Sequence, residues 1–246
     1  MYARLKLQLD TKEINFQQSS NLQGIIMENI DSQYASFLHG NQLNPYSQYI
    51  IKKDGASVWY IQTVTAEAYE NIILPMAKLK EIEIKKKELH IKICARELQT
   101  YEEAELVREF YEEKCPRYLE VSFLTPTAFK QDGKYVAYPD LRLVYGSLMR
   151  KFSEASDEMD MVDENILQDL TDKSEIVRYR LRTVPFPLEQ VRITGFEGNI
   201  CIRINGPETL ARYVRMLIRF GEFSGVGIKT GIGMGAMQFC RREKND

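Results

Sequence analysis

From the N-terminus, Ala3, Leu5, Leu7 and Leu9 alternate with Arg4, Lys6 and Gln8. This period of two predicts a half-buried strand. The spacing then changes. Leu22, Ile25, Ile26, Ile30, Tyr34 and Phe37 or Leu38 recur at helical intervals, and Gly40 follows as a stop, so one helix is expected to end beside His39. Tyr46 to Lys52 and Ser57 to Thr65 flank Lys53-Asp54-Gly55, which predicts a hairpin because Asp-Gly supplies the positive φ of a tight turn. A second helix is predicted over Ala66 to Leu74, followed by strands from Glu81 through Arg96. The order strand, helix, strand, strand, helix, strand is the ferredoxin-like pattern.

The second half follows a similar course with longer insertions. Tyr118 to Phe129 reads as strand and Leu141 to Phe152 as amphipathic helix, and the acidic stretch to Thr171 reads as a surface helix or loop. Strands are expected over Val177 to Val184, Glu189 to Gly195 and Gly198 to Asn205. A helix over Pro207 to Phe220 comes next, its proline suited to a helix start, and a last strand runs from Gly235 to Arg241. The periodicity predicts two α+β domains, residues 1–116 and 117–246, with the boundary near Cys115 to Arg117.

A chain of 246 residues with 44% hydrophobic content is long enough for two cores. The net charge of −2 carries no global basic signature, but the average conceals a division. From Glu154 to Glu175 there are 9 acidic residues and one lysine, whereas Ile176 to Asp246 holds 12 Lys+Arg against 6 Asp+Glu. The C-terminal region is therefore a basic surface behind an acidic insert. Cys94, Cys115, Cys201 and Cys240 are widely spaced and only two histidines accompany them, so neither a metal site nor a cofactor is expected. No apolar leader or membrane-length stretch is visible, and the chain reads as cytoplasmic with reduced thiols.

Gly221 to Gly235 contains six glycines in fifteen positions around Lys229-Thr230. The run lies between a predicted helix and a predicted strand, the inverse of a dinucleotide fingerprint, and Ile228 separates glycine from lysine where a P-loop has them adjacent. What remains is a series of backbone amides without side-chain cover, suited to close contact with a phosphate chain. Gly225-Val226-Gly227-Ile228-Lys229-Thr230-Gly231-Ile232-Gly233-Met234-Gly235 resembles the C-terminal glycine-rich loop of the CRISPR-associated endoribonucleases that cut precursor CRISPR RNA within its repeats. Phe123 to Phe129, Pro139 to Phe152 and Phe220-Gly221-Glu222-Phe223 occur in the same order as in that family. The N-terminal resemblance is thinner, resting on Tyr34, Leu38-His39 and Asn44-Pro45-Tyr46.

The resemblance implies tandem ferredoxin-like (RRM-like) domains and metal-independent cleavage. In that reaction the RNA's own 2′-hydroxyl attacks the adjacent phosphate, leaving a 2′,3′-cyclic phosphate and a 5′-hydroxyl. The family's catalytic histidine falls after the first helix, where His39 stands beside the polar-aromatic group Tyr34, Asn44, Tyr46 and Ser47. His90, between Leu89 and Ile91 in a strand, reads as structural. With His39 as base or acid, Tyr34 or Tyr46 would orient or donate and Lys52 would neutralise phosphorane charge. Repeat RNA would be held by Gly225, Gly227, Lys229, Thr230, Gly231, Gly233 and Gly235, and tracked by Arg178, Arg180 and Arg182, which share one strand face. The partner is CRISPR repeat RNA, with a homodimer and hand-off of product to an effector complex both compatible and no membrane involved. Two rivals are a non-catalytic guide-RNA-binding subunit and, more distantly, a nucleotide-binding enzyme that uses the glycine loop.

Overall fold

A computed structural model describes residues 1–41, 43–85, 88–156, 159–188 and 191–240. Strand β1 (Tyr2–Leu9) lies at the centre of a five-stranded antiparallel sheet of order β2-β3-β1-β5-β4. Its neighbours are β2 (Tyr46–Lys53), β3 (Ala56–Thr63), β4 (Glu81–Ile84) and β5 (Leu89–Tyr101). The alternation of β1 is realised: Ala3, Leu5, Leu7 and Leu9 are buried under the helices. The β2–β3 turn is built by Asp54 at φ 50° and Gly55 at φ 79°, as the Asp-Gly pair predicts.

One expected helix is two. Residues 22–38 divide into α1 (Ser19–Asn29) and α2 (Ser32–Gly40), because Asp31 caps α2 by accepting from the amides of Gln33 and Tyr34. The second helical segment of this half is α3 (Ala66–Ala68), a π turn (Tyr69–Ile73) and α4 (Leu74–Lys78). Helix α5 (Glu103–Glu112) then connects the halves.

The second sheet has order β11-β6-β10-β9, formed by β6 (Tyr118–Thr127), β9 (Ser174–Pro187), β10 (Arg192–Ile204) and β11 (Met237–Cys240). A small hairpin, β7 (Phe129–Gln131) with β8 (Lys134–Val136), stands apart from it. The sheet is covered by α6 (Leu141–Ala155) and α8 (Glu208–Ser224), while α7 (Glu164–Asp172) packs on α6 and gives the acidic insert a helix. The segments expected as separate strands on either side of Phe196 are one strand, β10, whose pairing with β6 shifts register between Phe196 and Gly198. Gly195 and Gly198 mark that irregularity, where an added Cβ meets the backbone of Thr127 and Arg180 respectively. Glu189 and Arg241, each at the end of an expected strand, and Lys86-Lys87 lie outside the described residues.

With the edge strand β4 set aside, in both sheets the first strand is central between the third and fourth, and the second lies beyond the third. These are two ferredoxin-like units, the first with β4 added to its edge. They are joined through α8. Ser47 donates to Phe223 O at 2.6 Å, Arg4 donates to Glu222 O at 3.1 Å, and the Arg4 guanidinium lies 4.9 Å from the Phe223 ring centre. Tyr2 packs on Phe220 and Phe223. The linker helix α5 is held to α8 as well, with Arg212 and Arg215 donating to the carbonyls of Glu109 to Lys114 at its C-terminal end.

Candidate active site

The glycine loop runs from Gly225 to Ala236 and lies in the seam between the units. Most of its glycines are required by protein, not by open space. At Gly235, φ 71°, a Cβ meets Val226 O; at Gly227, φ 76°, it meets Ala128 O; at Gly225, φ 62°, it meets Thr230. Gly233 accommodates the buried Ser19, and Gly231 lies against the ring of Tyr46. Backbone hydrogen bonds from Val226 to Gly235, Ile228 to Ala128 and Gly235 to Pro126 fix the loop's path, and Gly227 N donates to Ser147 Oγ at 2.9 Å. Lys229, in the left-handed region at φ 57°, starts a 3-10 turn (Thr230–Ile232). Among the described residues the amides of Lys229, Thr230 and Gly231 make no hydrogen bond, so the loop's free donors gather at the exposed Lys229.

One cavity adjoins this turn and a second adjoins the first. One, of 510 Å³, is lined by the loop from Gly227 to Ile232 and by Gln23, Lys130, Ser147 and Arg150. The other, of 420 Å³, is lined by Phe37, Asn41 and Pro45 on one side and Glu103 and Glu154 on the other. Leu43, Asn44 and Lys151 line both, so the two form one groove between the units. The first cavity is cationic through Lys130, Arg150, Lys151 and Lys229, and the second carries carboxylates.

His39 is exposed in the last turn of α2; Phe37 and Asn41, two residues to either side, line the second cavity, while His39 itself lines neither. The other residues expected beside it are not free at the surface. Tyr46 is 1% exposed, its ring under Gly231 and its hydroxyl accepting from Gln23 Nε2 at 3.3 Å. Burial pushes its phenol up to about 12, opposed by the Gln23 hydrogen bond. Tyr34 belongs to the core under α1 and stacks on Phe37; burial, then the charge of Glu67, pushes it up to about 12. Both tyrosines, expected as partners of the histidine, are thus packed in the fold, Tyr46 beneath the loop and Tyr34 in the core of the first unit. Lys52 is exposed but six residues along β2 from Tyr46, about 20 Å at the rise of a strand. It lines neither cavity.

Arg178, Arg180 and Arg182 share a face of β9 as expected, across from Cys201, Asn199 and Glu197. Arg178 pairs with Glu120 at 2.7 Å and Arg182 with Glu197 at 2.6 Å, which reduces the positive charge of the track. They line neither part of the groove. Thr230, expected to meet phosphate, is 6% exposed and its Oγ1 accepts from Lys151 Nζ at 3.0 Å.

A sequence profile of the family described as CRISPR-associated endoribonuclease Cas6 matches residues 121–237. A protein of that name from Streptococcus thermophilus is 33% identical over 220 residues, 89% of this chain and 90% of the relative. This chain belongs to the Cas6 family. A second Cas6, from Mycobacterium tuberculosis, is 35% identical over 221 residues, 89% of this chain and 70% of its own. Among solved structures, a Cas6 product complex superimposes with a TM-score of 0.82 at 23% identity, covering 98% of this chain and 99% of the other. Cas6 from Thermus thermophilus gives 0.72 at 21% identity, with 98% of each chain covered. The tandem ferredoxin-like architecture is thus the Cas6 architecture, and the chain is an endoribonuclease of CRISPR RNA processing. No described helix is long and apolar enough to cross a membrane.

The sequence missed the cations of the groove floor. Lys151 nevertheless left a signal: in α6 the buried positions Val144, Tyr145, Leu148, Met149 and Phe152 define an apolar face, and Lys151 falls within it, three residues after Leu148. A lysine on the buried face of an amphipathic helix needs a reason.

Proposed function

We propose that this Cas6 cleaves precursor CRISPR RNA within its repeats by attack of the 2′-hydroxyl on the adjacent phosphate, without a metal ion. The products are a 2′,3′-cyclic phosphate and a 5′-hydroxyl, and His39 handles the 2′-hydroxyl proton. The observation that carries this reading is the single groove in which the segment after His39 meets the free amides and cations around Lys229. A phosphate seated at Lys229 to Gly231 is held by backbone donors and charge. Bases of a single-stranded or looped segment, not a duplex major groove, carry the repeat's identity. Two solved relatives support the assignment: one is a Cas6 in complex with product and another a Cas6 mutant in which a histidine is replaced by alanine.

The test is incubation with end-labelled repeat RNA in EDTA beside the same RNA carrying one 2′-deoxy sugar at the cut. Cleavage of the first alone, with a cyclic phosphate end, is expected. Cleavage of the deoxy substrate, or dependence on added magnesium, would overturn the mechanism.

A further inference from the structure

In-line attack by a 2′-hydroxyl needs a proton removed at one oxygen and a proton supplied at the other. Tyr34 and Tyr46 are packed away, and Lys52 is about 20 Å along its strand from Tyr46. With His39 at the 2′-hydroxyl, the leaving oxygen lacks a donor among the other residues first expected. Lys151 lies in the groove, at the junction of its two cavities. It is 7% exposed, lines both cavities, and its Nζ is held by Ser224 O at 3.0 Å, Gly225 O at 3.2 Å and Thr230 Oγ1 at 3.0 Å. No carboxylate pairs with it among the described residues. A buried cation without a counter-ion, opening on a groove for a polyanion, has the phosphate as its natural partner.

We propose that Lys151 is the proton donor to the 5′-oxygen that leaves during cleavage, an inference that rests on the 2′-hydroxyl mechanism above. As the bond from phosphorus to the 5′-oxygen breaks, an Nζ–H proton passes to that oxygen, the bond's electron pair goes with it, and Lys151 is left as a neutral amine. The three partners of Nζ make the exchange balanced. Two are carbonyls, which only accept, and they retain the two N–H groups of the neutral amine. The third is a hydroxyl, which accepts from the ammonium and donates to the amine's lone pair. The proton aimed at Thr230 is thus the one whose departure leaves no unpaired group.

The electrostatics agree with this role. Burial, then the neighbouring Arg150, pulls the Lys151 amine down to about 7, the range in which a general acid works near neutral pH. The charged side chains that share its two cavities are Arg150 and Glu154 on its own helix, Glu103 at the start of α5, Glu67 in α3, Lys130 in β7 and Lys229 in the loop, and Met1 lines the second cavity as well. An incoming phosphate adds negative charge and favours the protonated donor.

A substrate in which sulfur replaces the bridging 5′-oxygen at the cut decides the matter, because a thiolate leaves without protonation. For wild-type protein, kcat on ordinary repeat RNA is expected to fall on the alkaline side, and that fall is expected to vanish on the sulfur substrate. Lys151→Met is expected to lose about 10²-fold or more on ordinary RNA and to approach wild type on the sulfur substrate. Lys151→Arg, which keeps the charge but not a proton donatable near pH 7, is expected to behave likewise. An alkaline limb that persists on the sulfur substrate, equal losses on both substrates, or full activity in Lys151→Arg would each overturn the proposal. Cleavage of 2′-deoxy RNA would instead bring down the underlying mechanism.

Discussion

The glycine loop and the segment that carries His39 line the same groove and are built on opposite principles. In the loop, Gly225, Gly227, Gly231, Gly233 and Gly235 each have protein where a side chain would go, and the path is fixed by hydrogen bonds to β6 and α6. The end of α2 is exposed, and His39 makes no hydrogen bond or ion pair among the described residues. Under the proposed mechanism the contrast separates two tasks. A phosphate cradle works by preorganised donors and has to be rigid, whereas a group that moves protons has to reach solvent and substrate. The difference predicts that damage on one side of the groove is read in activity and on the other in stability.

The largest expected effect is on the histidine side. His39→Ala should reduce single-turnover cleavage by about 10²–10⁴-fold while leaving thermal melting and repeat-RNA affinity unchanged within error. Loss of binding together with cleavage would assign His39 to recognition and erase the division of labour. Next in size is the loop. Gly235→Ala places a Cβ against Val226 O at positive φ, and denaturant unfolding should show a loss of more than about 2 kcal/mol. Gly24→Ala is the counter-test, since nothing lies within 4 Å of its Cβ in the middle of α1. It should stabilise by about 0.5–1 kcal/mol with cleavage unchanged. If Gly235→Ala behaved like Gly24→Ala, the loop's glycines would be free for RNA and not committed to packing.

A smaller effect sharpens the same point. Lys229 is the exposed cation of the loop, so Lys229→Gln should weaken RNA binding at every salt concentration and lower the slope of log affinity against log salt by about 0.7. Lys52→Gln should change neither quantity, because Lys52 lines neither cavity.

What the sequence could reveal follows the same physical division. Alternation in β1, the Asp54-Gly55 turn and the amphipathic face of α6 are local patterns, and each appears where its spacing puts it. Two local readings failed where a capping or bulging residue overrode periodicity: Asp31 restarts a helix inside an unbroken apolar period, and Gly198 lets one long strand pass through a register shift that imitates a break. The groove was legible only in part. Lys229 is exposed as its setting among glycines suggests, but Thr230 is turned inward to a lysine 79 positions away, a pairing that no local pattern carries. Tyr46 belongs to the polar-aromatic group near His39 in sequence, yet the loop from the opposite end of the chain covers it at Gly231. Burial by a distant segment is a property of the tertiary fold, and this is where assignments from types and spacing gave way.

The smallest effect tests the buried lysine that ties the loop to α6. In the unfolded chain the Lys151 amine has an ordinary pKa of about 10.4, and in the fold it is pulled down to about 7 by burial and Arg150. Below pH 7 both states carry the proton, and the fold bears the full cost of a buried charge. Between pH 7 and 10 the unfolded state binds more protons than the folded one, so this residue's contribution to stability grows as pH rises. Lys151→Met has no such group. The difference in melting temperature between wild type and Lys151→Met should therefore shift in favour of wild type from pH 7 to pH 9, at about 2–4 °C per kcal/mol for a chain of this size. A difference that stays constant over that window would mean that the amine keeps its proton. The three acceptors at Ser224, Gly225 and Thr230 would then outweigh desolvation, and Lys151 would be a fixed cation bracing the loop.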